Sequence, residues 1–487
     1  MNRAKRLYIL LGVLALACLV TFAVSRHEEA KEDIRNSDTL VLEIPYTSVT
    51  ALAWEYDSQS LSFHKDESWL YDADEAFPVD EEKMQELLEP FAAFGASFII
   101  ESVKDYSQYG LDDPICTIDL STEDTTYQIL LGDYSAMDSE RYVSIGDGNV
   151  YLVQNDPLDQ FDAVLSDLID QDDIPQLNQA EEILFSGASD LQIAYHEEGG
   201  NSYREDDVYF LQQDGDSLPL DSGRVKNYLQ TISNLDLSDY ITYQATEEEL
   251  QACGLDTPEL TIAVTYNVED EETESVNSET FTLHISRDPE EAQAAAAAAA
   301  EAVEETAATD TDTTAEAESE EEITAYARVG TSDILYRISG DEYTALLAAS
   351  YDDFRHPEVL PADFADITQL DISLDGESYS ILSAADTDSD ERIFSYREQE
   401  VEIADLQAAL EALSANSFTA ETPQEKEEIG LVLYLDTGNE EEARITIDLY
   451  RYDGSNCLAV VDGTPVSLVT RSLVVDLIEA VNAIVLN

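Results

Sequence analysis

The sequence predicts an α+β fold of tandem repeats, each a mainly antiparallel sheet with helices on one face, plus one N-terminal transmembrane helix. One order of features, namely helix, turn, several strands and helix, spans residues 77–170 and returns twice downstream. A repeat of about 120 to 140 residues has the size of a domain with its own core. An uninterrupted apolar run at residues 7–24 predicts the membrane helix, because its length matches the core of a bilayer.

The first repeat occupies residues 46–175. Its helix has apolar side chains on one face at amphipathic spacing, and Pro78 and Asp80 mark its start. A turn at 109–114 leads into short β-rich runs, and a second helix closes the repeat. The first helix carries Met84, Leu87, Leu88 and Phe91; the strands are CTIDL, TYQILLGD, RYVSIGDG and NVYLV; the closing helix carries Leu158, Phe161, Leu165 and Leu168.

The second repeat occupies residues 180–356, and a third, divergent repeat occupies residues 364–487. Each repeat begins with two strands in which aromatic or aliphatic residues alternate with polar ones, a pattern typical of half-buried strands. These pairs are VTALAWEY with SLSFH, DLQIAYHE with DVYFLQQ, and QLDISLDG with RIFSYRE. The helices of the later repeats carry Val225, Tyr228, Leu229 and Ile232; Tyr343, Leu346 and Leu347; Ile403, Leu406, Leu410 and Leu413; and Val474, Leu477, Ile478 and Val481.

A Gly-Leu-Asp-x-Pro turn stands before the strands of the first two repeats and is lost in the third. Glycine permits a positive φ, aspartate can accept hydrogen bonds from the following amides, and proline opens a strand without a ladder partner. These are structural needs, so we expect an architectural role for the turn residues. They are Gly110, Asp112, Pro114, Gly254, Asp256 and Pro258.

An acidic, alanine-rich insert at residues 289–322 interrupts the second repeat. It contains no Lys or Arg and almost no large apolar residue, so it has nothing to bury in a core. We expect a projecting loop that is partly helical along its alanines and disordered through its threonine and acidic part.

The N-terminus reads as a cytoplasmic tail and transmembrane anchor at residues 1–26, followed by a polar tether at 27–45. Three cations, Arg3, Lys5 and Arg6, precede the apolar run, and the acidic residues after it favour an N-terminus inside the cell. The bulk of the chain is then extracytoplasmic and the protein is a single-pass protein of the cell membrane. Cleavage near the small residues at 23–25 is the alternative.

Composition limits the classes of partner and site. Lys and Arg number 23 against 106 Asp and Glu, a formal net charge of −83, which opposes binding to nucleic acid. The five histidines lie far apart, and His284 on an apparent strand is interpreted as structural. Cys116, Cys253 and Cys457 fall one per repeat without CxxC spacing and are interpreted as small buried residues, with a disulfide as the alternative.

No catalytic residue, cofactor site or metal site is assigned from the sequence. Acidic pairs occur by chance at this composition, and nucleotide-binding or nucleophile motifs are missing from the sequence. The run at residues 386–391 resembles the start of a calcium loop, but Glu391 stands where glycine is needed and Arg397 where the bidentate glutamate belongs. A solvated hairpin turn is therefore the favoured interpretation.

Several motifs together resemble the bacterial domain of unknown function 4340 family. They are Trp54 and Trp69 in the first strands, the FPVD helix start, the YGLDDP turn, and the LLGDYS and RYVSIGDGNVYLV strands. The resemblance covers the first two repeats well and the third weakly. Cys253 replaces an aromatic residue before the second turn, and the alanine-rich insert is not part of the pattern.

The resemblance implies a membrane-anchored extracytoplasmic protein, similar to those encoded beside ABC-transporter ATPases and permeases of the gliding-motility auxiliary type. It brings no catalytic residues. The leading hypothesis is therefore a non-catalytic accessory or scaffold subunit whose partners are an ABC permease and its ATPase. The alternative is a surface module that captures a polysaccharide, peptide or cation through aromatic-rich strands, and an enzyme is the third reading.

Overall fold

The computed structural model describes residues 39–137, 139–197, 202–270, 275–308, 323–385, 392–436 and 443–486. The chain divides into two compact units, one with the residues up to 172 together with 237–244, and one with 173–236 and the residues from 245 onward. Within the described ranges the strands form four sheets, and their strand pairings are antiparallel. The prediction of mainly antiparallel sheets in tandem, with a few helices, is confirmed.

The first unit contains one large sheet and one two-stranded sheet. The strands are β1 (Thr39–Leu42), β2 (Val49–Tyr56), β3 (Gln59–Lys65), β4 (Trp69–Tyr71), β5 (Phe94–Ala96), β6 (Phe98–Ile100), β7 (Cys116–Thr122), β8 (Thr126–Ser135), β9 (Glu140–Ser144) and β10 (Val150–Val153); the helices are α1 (Glu81–Ala92) and α2 (Leu158–Phe161). The large sheet has the order β4-β3-β2-β7-β8-β9-β10-β6, and β1 pairs with β5.

Helix α1 forms as its sequence predicts. The Asp80 side chain accepts hydrogen bonds from the backbone N–H groups of Glu82 and Lys83, which satisfies two of the free donors of the first turn. The predicted apolar face, Met84, Leu87, Leu88 and Phe91, is buried. Burial of that face is what stabilises a helix of this length.

The predicted closing helix of the first repeat is wrong in detail. The chain makes only one helical turn, α2, then a 3₁₀ turn at Leu165–Leu168. Val164 between them is extended, and its N–H donates to the Asp167 carboxylate at 2.9 Å instead of continuing a helix. At the end of the 3₁₀ turn the backbone is hydrogen-bonded to the start of α1: Asp80 N–H donates to Leu168 O at 2.9 Å.

The second unit contains two further sheets. Its first part has β11 (Ala180–Gly187), β12 (Leu191–Tyr195), β13 (Tyr209–Gln213), β14 (Asp216–Pro219), β15 (Tyr240–Thr242, in the segment that groups with the first unit), β16 (Leu260–Asp270), β17 (Ser275–Arg287), β18 (Ala325–Val329) and β19 (Leu335–Ile338), with helices α3 (Ser222–Ser233), α4 (Glu247–Ala252), α5 (Pro289–Ala308), α6 (Gly340–Leu347) and α7 (Tyr351–Phe354). The sheet order in this unit runs β14-β13-β12-β11-β16-β17-β18-β19.

The third large sheet follows the same plan. Its strands are β20 (Ile367–Leu374), β21 (Glu377–Ala385), β22 (Arg392–Tyr396), β23 (Gln399–Glu400), β24 (Ala415–Phe418), β25 (Glu427–Leu435), β26 (Ala443–Arg451), β27 (Asn456–Val461) and β28 (Thr464–Thr470), with helices α8 (Ala404–Glu411) and α9 (Arg471–Val485). The order is β23-β22-β21-β20-β25-β26-β27-β28-β24. Helix α9 packs on α8 and along β27 and β28, which places its apolar face in the core.

A register irregularity recurs at the same place in all three large sheets. It lies at Val49/Ala51 where β2 pairs with β7, at Ala180/Glu182 where β11 pairs with β16, and at Ile367/Gln369 where β20 pairs with β25. In each case it falls at the beginning of the first long strand of the sheet. Irregularities of this kind bend a strand and raise its twist, so the three sheets share a structural detail as well as a strand order.

The alanine part of the insert is helical, as predicted, over the length of α5. Asp288 caps it by accepting from the N–H groups of Glu290 and Glu291, and Glu291 in turn accepts from Thr324 Oγ1 at 2.7 Å. The remaining residues of the insert, 309–322, lie outside the described residues. The bonds of Asp288 and Glu291 attach the first turn of α5 to Thr324, directly before β18.

Among the described residues, the structure contains no helix long and apolar enough to cross a membrane. The anchor predicted at residues 7–24 lies outside the described residues, as do the tail and most of the tether.

Candidate functional site

The two predicted turns occupy equivalent places. Gly110 and Gly254 both take a left-handed conformation, with φ of +67° and +70°; Gly110 directly follows a 3₁₀ turn, and Gly254 stands two residues after the last residue of α4. A Cβ on Gly110 would lie 2.7 Å from the Asp133 carboxylate and 2.9 Å from its backbone nitrogen, so the position needs glycine on two counts. The following residues, Leu111 and Leu255, are each 4% exposed and fill the core.

The other turn residues are less engaged than expected. Asp112 and Asp256 are exposed; the Asp256 carboxylate accepts from Thr257 Oγ1 at 3.5 Å, and its N–H donates to Leu250 O at 3.3 Å. Pro114 and Pro258 each stand two residues ahead of a strand, β7 and β16. The proposed architectural role of these residues stays a prediction.

The strongest candidate site lies in the second unit, where residues 355–361 lead from α7 toward β20. A cavity of about 140 Å³ opens here against the loop at 202–208. Five polar residues at this place form what we call the His356 cluster. Its members are Ser202, Arg204, Asp207, His356 and Glu358.

Backbone bonds fasten the 355–361 segment on both of its sides. Toward the third sheet, Val359 N–H donates to Leu413 O at 2.9 Å and Ala415 N–H donates to Pro357 O at 2.7 Å. Toward the 202–208 loop, Tyr203 forms an isolated bridge with Ala362. The segment is thus the joint between the parts of the chain that carry the second and third sheets.

Asp207 is the centre of the His356 cluster. Its side chain is 2% exposed, and its two carboxylate oxygens have different partners: Ser202 Oγ donates to Oδ2 at 2.5 Å, and His356 Nε2 lies 2.8 Å from Oδ1. A buried carboxylate is costly unless it is paired and hydrogen-bonded, and these contacts provide both. These contacts tie the 202–208 loop to His356.

The second ring nitrogen of His356 faces another carboxylate. Nδ1 lies 3.6 Å from Glu358 Oε2, and the same oxygen lies 3.8 Å from Arg204 Nη2. Arg204 Nη2 also donates to Leu360 O at 2.8 Å. The cluster therefore alternates anions and cations, with the imidazole between two carboxylates.

The pKa of His356 is raised above its usual value. Burial alone would lower this pKa, but the hydrogen bond and negative charge of Asp207 outweigh burial and the opposing charge of Arg204, and Asp221 adds a smaller favourable contribution. The imidazolium form is the one that this environment favours.

An arginine between two aromatic rings forms the other wall of the cavity. The Arg355 guanidinium carbon lies 4.1 Å from the ring centroid of Phe418 and 4.9 Å from that of Tyr351. Arg355 also pairs with Asp352 at 3.3 Å and reaches Val466 O at 3.5 Å. Cation–π contacts of this kind attract the guanidinium to the ring faces, and the Arg355 side chain stays 18% exposed.

The His356 cluster contains a serine, an aspartate and a histidine, but they are not arranged as a catalytic triad. The Ser202 hydroxyl donates to Asp207 and not to the imidazole, so His356 is not placed to take its proton. Ser202 and His356 both bind the Asp207 carboxylate, and this arrangement stabilises the contact between the two chain segments. In the part of the chain that the structure describes, no group of three or more His, Cys, Asp or Glu could hold a metal ion.

The remaining candidate residues have the surroundings of structural side chains. Cys116, Cys253 and Cys457 are free and buried, as predicted, and burial raises the pKa of Cys116 to about 12 and that of Cys457 to about 11. His284 Nδ1 lies 3.0 Å from Thr261 Oγ1 on the neighbouring strand, and burial lowers its pKa. The calcium-like run at 386–391 lies outside the described residues.

Sequence reasoning missed the His356 cluster because its two central residues are 149 positions apart. His356 was one of five histidines without metal-ligand spacing, and Asp207 was one of 106 acidic residues. The one local signal is compositional, since Arg204, Arg355 and His356 are cations close to the cavity in a chain with few cations.

The comparisons with known proteins agree with the repeated sheets. The family model described as "Domain of unknown function (DUF4340)" matches twice, at residues 69–258 and 213–432. No curated protein and no solved structure matches the chain. The two matches together span well over half of the sequence, and the chain therefore belongs to the DUF4340 family.

Proposed function

We propose that the protein is a non-catalytic, membrane-anchored extracytoplasmic accessory or scaffold subunit of an ABC-transport system. The observation that carries the non-catalytic part is the arrangement of the His356 cluster. Its serine and histidine each bind the Asp207 carboxylate across a joint in the chain, and the serine hydroxyl is bonded to Asp207 and not to the base that would activate it.

The repeated sheets support a scaffold. Three sheets built with one strand order, each with the same irregularity, give the chain repeated sheet surfaces that are available for protein contacts. The membrane anchor at residues 7–24 and the ABC partner rest on the sequence, through the apolar run and the family resemblance. The gliding-motility auxiliary subtype rests on the resemblance alone.

Co-purification tests this function. Gentle detergent extraction through a C-terminal tag is expected to recover an ABC permease and its ATPase. Replacing residues 7–24 with an unrelated transmembrane anchor should preserve this recovery if the sheet-bearing part provides the interface. An untagged strain and a tagged unrelated single-pass protein serve as controls.

Crosslinking in intact cells, together with ligand binding by the purified chain, can contradict the scaffold proposal. If no transporter subunit is captured, while the purified full chain binds a soluble polysaccharide, peptide or cation tightly, the protein is a capture module and the scaffold proposal fails.

A further inference from the structure

We propose that the His356 cluster is a pH-dependent clamp: with His356 protonated it fastens the 202–208 loop to the joint ahead of the third sheet, and loss of that proton loosens it. This inference does not depend on the identity of any transport partner. It concerns a contact inside the second unit, between residues far apart in the sequence.

The first step is the need of Asp207 for a cation. Its carboxylate is almost fully buried, and of the described residues only His356 forms an ion pair with it. Breaking such a pair by removing the cation leaves an uncompensated buried charge, which is strongly destabilising. Ser202 offers a hydroxyl but no charge.

The second step is the position of the other ring nitrogen. A protonated imidazole carries a hydrogen on both nitrogens, and a neutral one carries a hydrogen on only one. In the neutral form Nε2–H can still donate to Asp207, but Nδ1 then turns a lone pair toward Glu358 Oε2 at 3.6 Å. Deprotonation therefore turns the ionic hydrogen bond to Asp207 into a hydrogen bond from a neutral ring. It also turns the attraction between Nδ1–H and Glu358 into a repulsion between a lone pair and a carboxylate.

The third step is the balance of all charges that face the ring. Asp207, Glu358 and Asp221 favour the imidazolium, while Arg204 and burial oppose it. Arg355 is adjacent in sequence, but its guanidinium is occupied by Asp352 and two aromatic rings. The net result is a raised pKa for His356.

The direction of the pH effect follows from that raised pKa. An unfolded histidine titrates near pH 6.5. Because the folded value is higher, the clamp contributes its full stabilisation below about pH 6.5 and loses it as the pH rises through the folded pKa. The backbone bonds toward the third sheet and the Tyr203–Ala362 bridge do not titrate, so only the contacts that His356 makes are conditional.

Hydrogen exchange of the full chain in detergent tests the clamp. The reporters are Arg204 N–H, which donates to Ser202 Oγ at 3.1 Å, and Val208 N–H, which donates to Ser222 Oγ at 3.0 Å. After correction for intrinsic exchange, their protection is expected to fall between pH 5.5 and 8.5. Each unit of difference between folded and unfolded pKa corresponds to a tenfold change in the opening equilibrium.

Two variants and a matched control make the result decisive. H356Q should lose the pH dependence, and E358Q, which removes a half-exposed charge and spares Asp207, should move its midpoint to lower pH. H64Q is the control, because His64 Nδ1 lies 2.6 Å from Asp72 Oδ1 but both side chains are about two-fifths exposed.

Retention of the full pH dependence in H356Q would overturn the proposal. If H356Q fails to fold, an unchanged midpoint in E358Q, or flat protection in the wild-type chain across this range, would overturn it equally.

Discussion

Two buried ion pairs hold loops in place in different parts of the molecule, Arg141–Asp156 in the first unit and His356–Asp207 in the second. Arg141 Nε lies 2.6 Å from each carboxylate oxygen of Asp156, and the two side chains are 8% and 10% exposed. Asp156 also accepts from Leu158 N–H at 3.0 Å, so the pair secures the start of α2. Asp207 secures the 202–208 loop in the same manner.

The pairs differ in the cation. Arginine stays charged at every pH that a protein experiences, whereas histidine changes its charge near neutrality. Arg141 Nη1 additionally donates to Gly132 O at 2.8 Å, which ties the guanidinium to β8. A buried ion pair therefore gives an attachment that does not depend on pH in the first unit and one that depends on pH in the second.

The largest effect is expected from breaking the permanent pair. R141M leaves the Asp156 carboxylate buried without a cation and should lower the free energy of unfolding of the first unit by about 3 to 5 kcal/mol. Urea unfolding followed through Trp54 and Trp69 measures this, since both tryptophans lie in the first unit. K83M is the control, because Lys83 and its partner Glu86 are largely exposed. A loss equal to that of K83M would show that the pair is not needed.

A smaller, pH-dependent effect is expected from the conditional pair. H356Q retains a neutral hydrogen-bond donor but no charge, so at pH 5.5 it should destabilise by about 1.5 to 3 kcal/mol, the range for hydrogen bonds to charged groups. As the pH rises through the raised pKa of His356 the wild-type chain loses the same charge, so the difference should shrink toward pH 8.5. Urea unfolding at the two pH values, followed by far-UV circular dichroism because both tryptophans lie in the first unit, and compared with the curves of R141M, decides whether only one pair is conditional.

A still smaller effect is expected where the same two residue types meet at the surface. H64Q removes the contact to Asp72 where solvent already screens both groups, so its unfolding midpoint should match that of the wild type at both pH values. A pH-dependent loss as large as that of H356Q would show that burial is not what distinguishes the pairs.

The smallest effect is expected from the insert at residues 289–322, which has almost no large apolar residue to bury in a core. Replacing residues 293–321 with a short Gly-Ser connection keeps the bonds of Asp288 and Glu291 to the sheet and should leave the melting temperature nearly unchanged. Replacing residues 290–321 also removes the Glu291–Thr324 bonds and tests whether this first turn matters. If replacing residues 293–321 lowered the melting temperature as much as truncating a core side chain does, the part of α5 beyond its first turn would be shown to pack on the rest of the protein.

The sequence predicted what local patterns determine. Alternating strands such as β2, the N-cap of α1 at Asp80 and the left-handed turn at Gly110 each depend on a few neighbouring residues. The alternation also separates core residues such as Leu52 and Trp54 from exposed ones.

Other features depended on contacts that no local pattern contains. The closing segment of the first repeat was predicted as a helix because its leucines have helical spacing, but backbone bonds to the start of α1 compete with that helix. The Asp207–His356 contact joins residues separated by 149 positions, and its electrostatics exist only after folding. Long-range polar pairs of this kind cannot be distinguished from solvated charges in so acidic a chain.

The buried thiols have a practical consequence. Cys116, Cys253 and Cys457 lie one in each repeat, are buried and have raised pKa values, so each is protected from alkylation while its surroundings stay folded. Adding an alkylating reagent during a slow denaturant or pH ramp would therefore mark the repeats in the order in which they open. The three native cysteines thus report the order of unfolding of the repeats. Mass spectrometry of the three cysteine-containing peptides would measure the extent of alkylation at each, without any engineered cysteine.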